Sequence, residues 1–179
     1  CRRPSTSSGS RTMTQNIVTV PPGADYFTIE RSFAAPRRLV WKCYTEPQQL
    51  ARFWGPREAT TSATVDLRVG GTWRTSWTYP SGQTYAYTSV YLELVEPERI
   101  HYRDAPDSWR GGLEGLPPPQ LLSTILLDEV DQRTKVTAHI KAASVAHRDE
   151  TVARGFAGMV SIGNDRLADY LETLAKETV

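Results

Sequence analysis

Residues 149–176 read DETVARGFAGMVSIGNDRLADYLETLAK, and the fold turns on this stretch. Its apolar residues Val152, Phe156, Met159, Val160, Leu167, Tyr170, Leu171 and Leu174 recur at the spacing of one helical face. The pattern predicts a single long amphipathic helix with Asp149 at its N-cap. Asp165, Arg166, Asp169, Glu172 and Lys176 then fall mostly on the solvated side. Gly155, Gly158 and Gly163 lie inside the stretch, and each costs about 1 kcal/mol against Ala in a helix interior. Such a cost points either to close backbone packing or to room left for a ligand. The apolar face needs a cover, and the strands upstream are its natural partner.

Those strands are legible from alternation. Across residues 26–33, Phe27, Ile29 and Phe33 share one side while Thr28, Glu30 and Ser32 share the other, a half-buried strand. Ala35-Pro36 ends it and opens a short helix over 37–44, and Thr45-Glu46-Pro47 leads into a second over 48–53, closed by Gly55-Pro56. Six more strands are predicted at 59–67, 72–79, 85–95, 99–104, 121–129 and 134–142. Turn residues sit between them at Gly70-Gly71, Pro80-Ser81-Gly82, Glu96-Pro97 and Asp131-Gln132. Ahead of all this, residues 1–24 are expected to be a tail, disordered where Ser, Thr and Arg dominate, with Arg2, Arg3 and Arg11 solvated. Residues 25–179 form the domain.

Bulk properties narrow the function. A chain of 179 residues, 39% hydrophobic, suits one domain with a real core. Its formal net charge of +1 gives no field to recruit nucleic acid, so no specific nucleic-acid partner is expected. No apolar run approaches the roughly 18 residues of a membrane span, and no hydrophobic block of signal-peptide type stands near the start. A cytoplasmic protein without a membrane partner is the expectation. Cys1 and Cys43 give neither a disulfide framework nor a metal spacing. His101, His139 and His147 form no ligand pair, and Glu30, Glu93 and Asp128 lie on strands without a partner evident in sequence. Cys43 faces inward from a short helix, as a buried inert thiol does. No cofactor or metal is expected, and binding fits better than turnover.

The aromatic residues agree with binding. Trp73, Trp77 and Tyr79 share a strand face with Thr75, and Tyr85, Tyr87, Ser89 and Tyr91 share one on the next strand. Aromatic walls with a few hydroxyls suit a large, flat, partly polar molecule. Trp73, Trp77 and Tyr91 are the strand residues expected to touch it.

Several motifs, in order, resemble one family. They are Arg31-Ser32-Phe33-Ala34-Ala35-Pro36, Val40-Trp41, Thr45-Glu46-Pro47, Leu50 and Trp54-Gly55-Pro56, then Asp66-Leu67-Arg68-Val69-Gly70-Gly71, Glu93 and Pro97-Glu98-Arg99. Together they resemble the START-like (SRPBCC) proteins of the group related to the Hsp90 ATPase activator. The resemblance implies an α+β helix-grip fold, in which a curved antiparallel sheet wraps a long C-terminal helix and leaves a cavity for a bulky apolar ligand. It makes Phe156 and Met159 the helix residues expected to meet that ligand. Many relatives carry a Gly-Trp pair where this chain has Met159-Val160, so a larger or differently shaped cavity is expected.

A second departure is the long loop over 105–120, where relatives have a short link. Trp109 gives it an anchor and a candidate ligand contact, and Pro117, Pro118 and Pro119 stiffen its exit. Here the chain resembles the self-sacrificing resistance proteins of enediyne producers, members of the same group. That resemblance implies capture of an enediyne and a loop glycine, assigned to Gly111, as hydrogen donor and cleavage site. A glycine Cα is a good donor because both flanking amides stabilise the radical and no side chain blocks approach. Oxygen capture then breaks the backbone, so drug and protein are both spent without turnover. Gly112 is chemically equivalent, and its alternative stays open. A carrier or sensor of a lipid or polyketide, using the same cavity without chemistry, stays open too.

Overall fold

The computed structural model describes residues 15–178. The basic trio Arg2, Arg3 and Arg11 and most of the expected tail lie outside the described residues. The elements run β1 (Ile17–Thr19), β2 (Tyr26–Phe33), α1 (Arg37–Thr45), α2 (Pro47–Leu50), β3 (Thr60–Val65), β4 (Thr72–Thr78), β5 (Thr84–Val95), β6 (Arg99–Ala105), β7 (Leu121–Val130), β8 (Arg133–Ala142), α3 (Val145–Ala153) and α4 (Phe156–Glu177). All eight strands form one antiparallel sheet in the order β1-β2-β8-β7-β6-β5-β4-β3, curved around α4. This is the α+β helix-grip architecture expected from the sequence.

Alternation decides which side chains reach the inner face. Phe27, Ile29 and Phe33 of β2, Ile125 and Leu127 of β7, and Val136 and Ile140 of β8 point inward and are almost completely buried. A register shift between Tyr91 and Glu93 keeps Tyr91 opposite Tyr102 and Leu94 opposite Ile100, while Glu93 faces His101. One extra residue on β5 thus preserves the apolar face beyond the irregularity. The core falls into two clusters. A large one gathers Trp41, Tyr44, Phe53, Trp73, Tyr91 and Leu167, and a small one gathers Phe27, Ile29, Ile140 and Ala157.

Two expectations need correction. Residues 149–176 are not one helix: α3 starts earlier and its N-cap is Ser144, whose side chain accepts from the His147 N–H at 3.1 Å. Asp149 sits inside α3 and pairs with Arg148 instead. The chain then passes through Gly155 at φ 88, a left-handed conformation that ends a helix and that Gly adopts without steric penalty, before α4 begins. Of the three glycines in the stretch, Gly155 therefore makes a break. Gly158 faces open space, and Gly163 is buried with the Phe53 carbonyl nearest its Cβ position.

The tail also ends sooner than residue 24. Ile17–Thr19 pairs with Glu30, Ile29 and Thr28 as an edge strand. Asn16 holds it to α4, donating to the Asp165 carboxylate at 3.0 Å and accepting from Asn164 Nδ2 at 3.0 Å.

Candidate functional site

Between the inner face of the sheet and α4 lies a hollow with about 70 Å³ of enclosed space. Ile29, Ile125, Val136, Ala138 and Ile140 floor it, and Trp77, Tyr87 and Tyr102 form one wall. Phe53, Trp54 and Gly55, the corner after α2, form another, and α4 closes it with Phe156, Met159, Val160, Gly163 and Asn164. Both core clusters contribute to this lining, so the hollow is a gap between them.

The corner is held by one side chain. Arg166 of α4 donates to the carbonyls of Gly55 at 2.8 Å, Pro56 at 3.1 Å and Arg52 at 3.1 Å. These carbonyls lie in the irregular turn that follows α2, and the guanidinium fork gathers them onto α4. Tyr170 adds a hydrogen bond to the Gln49 side chain. The Nε1 edge of Trp77 rests on Gly55, so closely that a Cβ there would stand 2.0 Å from Nε1. The Trp77 N–H is buried and has no partner among the described residues.

Charge is unwelcome in this setting. Burial pushes the Tyr102 hydroxyl up to about 12, with an opposing pull from its hydrogen bond to Ser123, and burial pushes Tyr44, Tyr87 and Tyr91 up further. The unfolded chain releases tyrosine protons near pH 10 while the folded chain holds them. Folded stability is therefore fully present below about pH 10 and is lost as pH rises through the folded values. A thermal melt is expected to fall steeply above about pH 10, with the tyrosinate absorbance of these residues appearing at unfolding rather than before it.

The sequence-predicted residues divide. Trp77, Phe156 and Met159 line the hollow. Trp73 and Tyr91 do not, because they fill the large cluster: Trp73 packs at 4.8 Å from both Trp54 and Tyr102 and stacks on Tyr91 at 6.1 Å. Trp109 does not either; its indole donates to the Gly112 carbonyl at 3.1 Å within the loop. Tyr87, Trp54 and Gly163 were visible in the sequence as an aromatic face, a motif and a costly helix glycine, yet their place on one cavity wall follows from topology.

The loop lies on the other side of the sheet. Thr88, Val90 and Arg103 alternate with the inward Ser89, Tyr91 and Tyr102, so they point outward, yet all three are buried. Thr88 Oγ1 donates to Asp107 at 3.2 Å, Arg103 bonds the Pro117 carbonyl, and the Gly112 N–H donates to Gly70 at 2.7 Å. The loop is thus fastened to the outer face, and neither Gly111 nor Gly112 lines the hollow. Its two ends return beside Tyr87, where Asp104, Pro106, Pro117 and Gln120 line a cleft shared with that tyrosine. Asp104 pins the exit by accepting from the Gln120 and Leu121 N–H groups, both at 2.8 Å.

No acid-base or nucleophilic set assembles around the hollow among the described residues. Cys43 is buried, and desolvation first, with Glu46 second, pushes its thiol up to about 12. His101 contacts Thr124 and His139 stacks on Tyr26, neither lining the hollow. Glu93 pairs with Arg99, and Glu30 with Lys135. No cluster of three His, Cys, Asp or Glu side chains that would suit a metal occurs among the described residues. No helix among them is long and apolar enough to cross a membrane.

The family model for the Activator of Hsp90 ATPase homolog 1-like proteins matches residues 34–172, most of the chain. The chain belongs to this family. Solved structures carry the same fold. Protein Ms6760 from Mycobacterium smegmatis is similar with a TM-score of 0.74 at 24% identity, over 88% of this chain and 98% of that one. CV1439 from Chromobacterium violaceum has a TM-score of 0.63 at 27% identity, over 83% and 97%. The AHSA1-like protein from Aeromonas hydrophila has a TM-score of 0.60 at 17% identity, over 80% and 93%. No curated protein is significantly similar in sequence. For an AHSA1-like domain, a cavity between sheet and last helix is a ligand-binding arrangement, compatible with small hydrophobic molecules.

Proposed function

We propose that this chain captures a bulky, mostly apolar natural product in the hollow, that the ligand is an enediyne of the calicheamicin type, and that capture protects its host. The carrying observation is the hollow: an aromatic and aliphatic lining around enclosed space, without a charged side chain, beside a helix that keeps a glycine where a side chain would fill the space. The enediyne identity rests on the resemblance of the loop-bearing chain to self-sacrificing resistance proteins. In that reading the activated diradical takes hydrogen from Gly111, oxygen adds to the backbone radical, and the chain breaks, so each molecule acts once and the protein is not an enzyme.

The backbone at Gly111 is open to such attack, since a Cβ there would meet Gly70 O alone, at 3.6 Å. Its position is the difficulty. For Gly111 to meet a warhead seated in the hollow, the loop must leave the outer face, breaking its bonds to Gly70 and Thr88. Carriage without cleavage is the second reading, and the placement of Gly111 favours it. Docking on a chaperone, the activity in the family's name, would need no hollow.

Thiol-activated enediyne added to the protein in equimolar amount separates these readings by mass spectrometry. Two fragments meeting at Arg110 and Gly111 are expected for sacrifice; an intact chain with retained ligand would replace it by carriage. Gly111→Ala is expected to lower cleavage at some cost in loop stability, because φ at this position is +106.

A further inference from the structure

We propose that the hollow selects a neutral molecule and that the Trp77 Nε1–H reads a hydrogen-bond acceptor on it; this rests on the reading of the hollow as a binding site. Among the described residues no Asp, Glu, Lys, Arg or His side chain lines the space. The charges nearest to it on α4 are committed elsewhere: Arg166 to three carbonyls, and Asp165 to Arg31 and Asn16. An ion entering the hollow would lose its water and gain no counter-charge, which penalises it heavily against a neutral ligand of the same shape. The raised tyrosine hydroxyls report the same resistance to charge.

A neutral ligand still needs polar partners, and a buried donor on the wall lacks one among the described residues. Trp77 Nε1 is buried without a partner, with its ring edge against Gly55. A buried N–H left unpaired is unfavourable, so a carbonyl or ether oxygen that reaches it when the ring turns off Gly55 relieves that deficit. The ligand class is therefore uncharged and acceptor-bearing.

Three fluorescent probes test this on the purified chain. N-phenylnaphthylamine is neutral, anilinonaphthalene sulfonate adds an anion to the same skeleton, and Prodan is a neutral naphthyl ketone. The sulfonate is expected to bind at least about tenfold more weakly than N-phenylnaphthylamine. Trp77→Phe is expected to weaken Prodan about tenfold and N-phenylnaphthylamine less than about threefold, since only the ketone presents a strong acceptor. Equal affinity for the sulfonate overturns neutral selection, and an equal effect of Trp77→Phe on both neutral probes overturns the donor role. Failure of both neutral probes to bind overturns the hollow as a binding site, and with it the function proposed above.

Discussion

Replacing Trp73 by Ala is expected to lower the unfolding free energy by about 3–5 kcal/mol and leave ligand selectivity unchanged in whatever fraction still folds. The residue is only 3% exposed and touches three aromatic neighbours, Trp54, Tyr91 and Tyr102. Removing the indole opens a cavity that the stiff strands β4, β5 and β6 are poorly placed to close. For a chain of this size the melting temperature should drop by roughly 10 °C or more. Trp77→Ala makes the contrast. Its side chain borders empty space already, so the same truncation should cost less stability and more ligand affinity. Equal destabilisation by the two changes in a denaturant titration would contradict the division of β4 into a core residue and a cavity residue.

Gly55→Ala carries the second large effect. The position has φ +96, which strains any L side chain, and the new methyl would lie 2.0 Å from Trp77 Nε1 and 2.4 Å from its Cδ1. The strain alone costs about 1–2 kcal/mol. The clash adds to it, because the indole must move and the space available to it is the hollow. A total loss of about 3 kcal/mol and a strong loss of probe binding are expected together. Retained binding with lowered stability would mean that the ring escapes outward and that this wall does not shape the site. The anchor of the same corner, Arg166, stands behind this prediction: with three carbonyls on one guanidinium, the Gly55 backbone has little freedom to retreat.

Much of the architecture was legible because its signals are local. Alternation marks β2 and β4 through β8 within one or two residues of their observed ends, since each strand has one face against the core. β1 escaped notice because three exposed residues show no alternation to read. The apolar period across 149–176 is real but runs through two helices, and Gly155, the residue that breaks them, was visible only as a cost.

The site was less legible for a geometric reason. Trp73 and Trp77 share a strand face, and nothing in their own neighbourhood separates them. What differs is the element opposite: Trp73 meets Trp54 and Tyr102, while Trp77 meets a glycine and a gap. The loop poses the same problem. Its length and its glycines are plain in the sequence, but the face it covers is set by Thr88 and Arg103 reaching outward to hold it. Gly111 is thereby held away from the aromatic wall of the hollow.

Plugging the hollow tests the central claim most directly. Gly163 lines it, and its Cβ position is unobstructed, with Phe53 O nearest at 3.8 Å. Gly163→Leu should therefore fill the space from within α4 while gaining up to about 1 kcal/mol of helix propensity to offset crowding. Titration calorimetry of an unactivated enediyne should give one site per chain on the wild type and none on Gly163→Leu, with similar melting temperatures. Equal binding to both proteins, or none to the wild type, would contradict the account.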